Sequence, residues 1–264
     1  MTAPGFDEPI LRRLSPGAAD PILVADFQSM SMAPRLSEML AETIPGRPVF
    51  QIDPVDALSG SRLYAALPEL AAACADEFRR SGAAAGQLLV VGHCSASALS
   101  LRVADLLAAE LPVTAVLVQP ALVDDELVTE KFAEYLGKFG PAGRPCPDLD
   151  GDPEQVVSAM EQLFRDEITA LAASRNLGSS MGAFADLLVW YRGWLAFLLA
   201  CRNDRALEQA VGRAAVTVLS DAPSEIAIPG LDRAGYQVCE LPPQPGGPVS
   251  PELAKLVAAY VDTL

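Results

Sequence analysis

The segment Leu88-Leu89-Val90-Val91-Gly92-His93-Cys94-Ser95-Ala96-Ser97 holds the residues best suited to chemistry. An apolar run of strand type leads straight into Gly-His-Cys-Ser-Ala, and a helical pattern, Ala98–Leu107, follows. A tight strand-to-helix turn of this kind pushes one side chain out at the edge of a sheet, so Cys94 is a nucleophile candidate. Strand and helix backbones come close there, which requires small neighbours, and Gly92 and Ala96 supply them. A cysteine can act where a serine cannot. At an ordinary thiol pKa of about 8.5, a few per cent is thiolate near neutrality without any base. The helix starting beside Cys94 is expected to lower that pKa further through its N-terminal dipole. The alternative for Cys94 is a small buried hydrophobe in an inert turn.

One number limits the chemistry more than any other: the 264 residues include a single histidine, His93. A histidine base or a His-based metal cluster must use that residue, which the turn holds directly before the thiol. The five cysteines (Cys74, Cys94, Cys146, Cys201, Cys239) lack Cys-x-x-Cys spacing. They read as reduced thiols, with no disulfide framework and no zinc site, and imply a cytoplasmic location. Thirty-four acidic against 19 basic side chains give a net charge of −15. That balance argues against nucleic acid, which is bound through Lys and Arg, and against an anionic membrane surface. Apolar residues make up 51% of the chain and charged ones 20%, which excludes disorder and allows a substantial core. Residues 1–13 lack the apolar stretch of a signal peptide. The longest uncharged stretch, 81–101, carries Gly, Gln, His and Ser and predicts no membrane span. Asp148 to Glu154 is rich in acids, but Asp152-Pro153-Glu154 reads as a helix cap and first turn in preference to a calcium loop.

The elements around the motif follow from apolar pattern and punctuation. Strands are predicted at Ile22–Phe27, Pro48–Ile52, Gln87–Gly92, Val113–Val118, Ala215–Ser220 and Tyr236–Leu241. Near-continuous apolar strands alternating with helices predict an α/β fold with a mostly parallel central sheet flanked by helices. Leu63, Leu67, Leu70, Cys74 and Phe78 form one apolar stripe on a helix ending near Arg80. Ser250-Pro251 opens a terminal helix expected to bury Leu253, Leu256, Val257, Tyr260, Val261 and Leu264. From Asp124 to about Arg213 the pattern is helical, including Pro153–Leu171 and Phe184–Leu199. This predicts a core of residues 1–123 and 214–264, with 124–213 as an inserted helical lid. Trp190, Tyr191, Trp194 and Phe197 either line an apolar substrate tunnel in that lid or glue it to the body.

The turn resembles the nucleophile elbow of the α/β-hydrolases, with Ala96 in place of the second glycine. Over nearly its whole length the chain is similar to the thioesterase domains of nonribosomal peptide and polyketide synthases. The similarity is carried by Leu14-Ser15-Pro16-Gly17 before Pro21-Ile22-Leu23-Val24, by Arg47 to Pro54, by the Leu63–Arg80 helix, by the elbow and by Val216 to Asp221. It implies the α/β-hydrolase fold and an acyl or peptidyl carrier protein as partner. It further implies a small-molecule acyl chain on a phosphopantetheine arm and no cofactor. An oxyanion hole would use Ser95 and Phe27, and Trp190, Tyr191 and Trp194 would be substrate contacts.

The sequence departs from that family at four places. Cys94 stands where serine is usual, and Gln119 occupies the position where these domains commonly place their acid. Leu241-Pro242-Pro243-Gln244-Pro245-Gly246-Gly247 covers the base region without a histidine, and Asp26-Phe27-Gln28-Ser29 lacks the usual His and Gly of the oxyanion loop. The remaining candidates for base or orienting acid are Asp26 and Asp221. Asp221 stands where many α/β-hydrolases keep their acid, or is a turn residue before Ala222-Pro223. Some release enzymes of this fold with cysteine nucleophiles, which close tetramate or tetronate rings, resemble the arrangement but keep a His partner. Two readings follow. One is a thioesterase-like enzyme of antibiotic-type biosynthesis that takes an acyl group onto Cys94 and releases it by cyclisation or transfer more than by hydrolysis. The other is an inactive thioesterase fold that binds a carrier protein, a biosynthetic partner or a hydrophobic product.

Overall fold

A computed structural model describes residues 6, 9–27, 34–83, 86–140, 143–175, 181–204, 212–223, 226–243 and 249–264. Seven strands form one sheet in the order β1-β3-β2-β4-β5-β6-β7. They are β1 (Leu11–Ser15), β2 (Ile22–Ala25), β3 (Val49–Ile52), β4 (Leu88–His93), β5 (Val113–Val118), β6 (Ala215–Ser220) and β7 (Gln237–Glu240). Every pairing is parallel except that of β1 with β3, which is antiparallel. The six predicted strands are present within a few residues of their expected bounds. The edge strand β1 is additional.

β2 and β3 are buried at every residue because the sheet is covered on both faces. On β4, Leu88 and Val90 join the larger apolar cluster, with α3 (Leu67–Arg80) and α4 (Ser97–Leu107). Leu89 and Val91 join the cluster under α1 (Leu36–Thr43) and the C-terminal helix, α8 (Pro251–Val261). A short α2 (Pro54–Ala57) follows β3, capped by Asp53. The α3 stripe begins at Leu67 and leaves Leu63 outside the helix, since Pro68 sits in the first turn where its missing N–H costs nothing. The Ser250 hydroxyl accepts from the Leu253 N–H at 3.0 Å and starts α8. The buried row of α8 is Leu253, Val257 and Val261 with Ala254 and Ala258. Leu256 and Leu264 lie off that row and are 36% and 43% exposed, so their expected burial does not hold.

Between β5 and β6 come α5 (Asp125–Leu136), α6 (Pro153–Arg175) and α7 (Met181–Asn203). Asp152 accepts from the Gln155 N–H at 3.1 Å and from the Val156 N–H through its carbonyl, so it caps α6. The stretch Phe184–Asn203 is apolar and long enough to cross a membrane by composition, yet 61% of it is buried inside the protein. Its side chains share the larger cluster with the sheet and α3, so the inserted helices and the body have one continuous apolar interior. Polar ties fasten its end. Arg202 donates to Asp125 at 2.6 Å, to Asp150 at 2.7 Å and to the Leu149 carbonyl at 3.1 Å. Arg102 of α4 pairs with the nearly buried Asp204.

Candidate active site

β4 delivers the chain into a single 3-10 turn, Cys94–Ala96, and α4 follows at once. Cys94 sits at φ 53°, a left-handed conformation that costs a non-glycine residue about 1–2 kcal/mol. Gly92 is required by proximity: a Cβ there would lie 2.5 Å from the Ser100 hydroxyl and 2.9 Å from the Ser97 Cα. The Ser100 hydroxyl donates toward the Val91 and Ala96 carbonyls at 3.3 and 3.1 Å, locking helix to strand. The Ala121 N–H donates to the Cys94 carbonyl at 3.2 Å and ties the exit of β5 to the elbow.

The thiol does not behave as the sequence suggested. Burial pushes the Cys94 pKa above the ordinary thiol value, because a half-enclosed sulfur loses water that would solvate its anion. The Ser95 N–H and the Lys131 charge act in the opposite direction without overcoming burial. The expected net lowering by the start of α4 is therefore corrected: desolvation wins. His93 is likewise desolvated, and its pKa falls to about 4. At neutral pH it is an uncharged imidazole, on a residue in register with Val118 of the adjacent β5.

Asp26 ends β2, with 2% of its surface exposed. One of its oxygens accepts from the Ser37 N–H at 2.7 Å, and the other accepts from the Ser37 hydroxyl and the Gln51 amide, each at 3.1 Å. Its carboxyl therefore anchors the start of α1, and burial raises its pKa. Beside it lies a buried ion pair not foreseen from the sequence, Arg35 to Asp53 at 2.6 Å. Burial raises Asp53 to about 6, with the Asp56 charge adding to it. Asp221 follows β6 and lines a cavity of about 320 Å³ with Gln119, Pro120, Leu122, Ser220 and Ile228. Gln119 itself has φ 47°, donates its N–H to the Leu219 carbonyl at 2.8 Å, and accepts from the Ser220 hydroxyl at 3.4 Å. Gln119 is thus a neutral amide wired to β6. Cys94 is not among the residues lining that cavity. A larger hollow, about 550 Å³, lies between the end of α5 and α6 and touches none of these groups.

Near the elbow stand the aromatics of α7. Trp194 packs on Phe27 with ring centres 4.0 Å apart. Tyr191 is fully enclosed, stacked on Phe164 at 5.3 Å and tilted against Tyr135 at 4.7 Å. For Tyr191 the ring does the gluing described above; Trp190 remains half-buried beside it. The thiol of Cys201 donates toward the Ser95 carbonyl at 3.8 Å, so α7 touches the elbow directly. Lys131 and Tyr135 of α5, absent from the site residues expected from the sequence, both lie within electrostatic range of Cys94. Their spacing of four residues, on a face that also carries Val128 and Phe132, was the available signal. Gln28, Ser29 and Gln244 to Gly247 lie outside the described residues.

No protein-family model matches the sequence, and no curated protein does. Solved structures do. The chain superposes on a four-domain nonribosomal peptide synthetase, holo-AB3403 bound to AMP and glycine, at a TM-score of 0.56 and 16% identity over 96% of its length. It spans 20% of that synthetase. It superposes on the Vlm2 thioesterase domain, bound with a dodecadepsipeptide, at a TM-score of 0.53 and 16% identity over 96% and 97% of the two chains. The fold is that of the α/β-hydrolases. A thermophilic esterase from Thermogutta terrifontis gives a TM-score of 0.52 at 15% identity over 96% and 92% of the two chains. The α/β-hydrolase fold is thus shared with thioesterase domains and an esterase.

Proposed function

We propose that this protein takes an acyl group from a carrier-bound thioester onto Cys94 and passes it on by cyclisation or transfer. The observation that carries the reading is the left-handed backbone of Cys94 at the elbow. A left-handed backbone is costly for a non-glycine residue, and it is the geometry that presents a nucleophile at such a turn. In the first step the Cys94 thiolate attacks the thioester carbonyl carbon. The new C–S bond forms as the bond to the pantetheine sulfur breaks, and the departing thiolate takes up the proton that Cys94 lost. One thioester replaces another, so the exchange is close to thermoneutral. The N–H of Ser95, directed at the sulfur, and that of Phe27 support the developing oxyanion.

Release is where the missing base matters. Water attacks a thioester slowly without a general base, and the only histidine is a neutral imidazole that burial holds away from protonation. An amine within the acyl chain, or on a second acceptor, attacks unaided: its C–N bond forms, Cys94 leaves as thiolate, and the amine proton returns to the sulfur. Asp221, at the cavity beyond β5, is the residue proposed to position such a nucleophile. Trp190 and Trp194 are proposed to flank the chain. The acidic protein would receive its substrate from an acyl or peptidyl carrier protein, on a phosphopantetheine arm, and needs no cofactor of its own.

The raised thiol pKa favours a second reading, an inactive fold that binds the same carrier or a hydrophobic product. Alkylation and intact mass separate them. Incubation with an acyl-pantetheine thioester should add one acyl group in wild type and none in Cys94→Ala. Iodoacetamide should modify Cys94 well before the buried Cys74. No adduct, and no preference over Cys74, would establish the binding reading instead.

A further inference from the structure

The cavity of about 320 Å³ lies at the carboxyl ends of β5 and β6, the edge of a parallel sheet where ligands are bound. Its volume is at the low end of the roughly 300–1,000 Å³ typical of small-molecule sites. One stretch of chain separates it from the elbow. Val118 is in register with His93, so Gln119 and Cys94 leave neighbouring strands one spacing apart, about 4.8 Å. Ala121 donates its N–H to the Cys94 carbonyl at 3.2 Å, while Pro120 and Leu122, on either side of it, line the cavity. A molecule bound there rests against the segment that holds the thiol residue in place.

The lining has one sign of charge and a large apolar share. Pro120, Leu122, Ile226 and Ile228 supply hydrocarbon walls. The Ser220 hydroxyl donates to the Gln119 amide oxygen at 3.4 Å and accepts from the Ala222 N–H at 3.1 Å, so this polar floor is satisfied within the protein. Asp221 is the only charged residue among the described residues that line the cavity. A carboxylate beside hydrocarbon walls selects a small organic cation and repels an anion. A metal ion would lack ligands, since no group of three candidate ligands occurs among the described residues. Cys94 does not line the cavity, so a cyclising chain would have to bring its own end past segment 119–122 while attached to the sulfur. A separate small molecule has no such constraint.

We propose that this cavity binds a free, small primary amine with an apolar side chain, held as its ammonium by Asp221, and that this amine is the acceptor of the acyl group on Cys94. This rests on the acylation of Cys94 proposed above and narrows release to amide formation with a diffusible partner. One ammonium proton passes to the Asp221 carboxylate and on to water. The nitrogen then forms its C–N bond to the acyl carbon, the C–S bond breaks with its electron pair on sulfur, and the surplus N–H proton goes to that thiolate.

Binding is read by calorimetry on the Cys94→Ala protein, so that it does not depend on acyl loading. The probes are 3-methylbutylamine and its uncharged analogue 3-methylbutan-1-ol. The amine should bind at a single site and at least about tenfold tighter than the alcohol, the worth of a hydrogen bond to a charged group. Asp221→Asn should erase that difference. Leu122→Trp, at a rim position that is 36% exposed, should fill the cavity and block both ligands. Circular dichroism checks that both variants are folded. Transfer is then read on wild type loaded with hexanoyl-pantetheine. N-(3-methylbutyl)hexanamide should form at a rate that saturates with amine concentration, and in Asp221→Asn at one that only rises linearly. Equal affinity for amine and alcohol, or amine binding that survives both variants, would overturn the amine site and leave Cys94 acylation standing. Saturable amine binding without any hexanoyl adduct on wild type would instead remove the acylation, and the acceptor role with it.

Discussion

Cys94 and Gln119 hold matching left-handed conformations, φ 53° and 47°, at the ends of the adjacent strands β4 and β5. The Ala121 N–H, two residues beyond Gln119, donates to the Cys94 carbonyl. The two strained residues are therefore braced against each other by the loop that leaves β5. Strain at Cys94 persists because the turn around it is over-determined: Gly92 leaves no room to shift, and Ser100 fastens the helix behind it. The fold thus holds a strained thiol residue and a strained amide residue side by side at the ends of two central strands.

Removing that strain should stabilise the protein. Cys94→Gly is expected to exceed Cys94→Ala in stability by about 1 kcal/mol, because glycine adopts positive φ without a Cβ clash. The glycine entropy cost in the unfolded chain works against this and sets the lower end of the gain. Urea unfolding of the two variants checks it; an alanine variant as stable as the glycine one would show that the turn relaxes.

The elbow should be intolerant of one methyl group. Gly92→Ala puts a Cβ within 2.5–2.9 Å of Ser100 and Ser97 atoms, an overpacking worth about 1–3 kcal/mol. Two of the three closest atoms belong to the Ser100 side chain. Gly92→Ala with Ser100→Gly should therefore recover part of the loss beyond what the two single changes add to, measured as a double-mutant cycle by denaturation.

How much of this was legible in the sequence depends on what each residue had to declare. The parallel strands β2 to β6 show because their apolar runs are nearly continuous, as a doubly covered sheet demands. β1 does not, because Leu11-Arg12-Arg13-Leu14-Ser15 is an edge strand with exposed arginines, held by pairing to β3 and by Arg12 donating to Gln51 at 2.8 Å. The Cys94 elbow is local and could be read directly. The fate of Asp26 could not, since Ser37 and Gln51, which claim its oxygens, come from other elements. The direction of the thiol pKa is not legible in the sequence for the same reason. The local helix start is visible, but the neighbours of the elbow in α5 and α7, Lys131 and Cys201, come from far along the chain.

Stability should carry a histidine signature in mild acid. His93 has a pKa of about 4 in the folded protein against an ordinary 6.5. Between these values the unfolded chain binds a proton that the folded one refuses, so stability falls as pH drops from 6.5 and levels off below about 4. The loss is on the order of 2–3 kcal/mol. His93→Gln lacks it, and the difference between the two pH–stability curves isolates it. Asp53, whose raised pKa acts with the opposite sign over part of the same range, is common to both proteins and cancels. A flat difference curve would mean that His93 is solvated.

The central claim is that Cys94 accepts an acyl group and, lacking a base, does not hand it to water. It is tested most directly by counting the free thiol released when excess acyl-pantetheine meets the protein without any amine acceptor. A burst of one thiol per chain and then almost no further release is expected, with the burst absent in Cys94→Ala. Continuous thiol release over many turnovers, or the same release from Cys94→Ala, would contradict it.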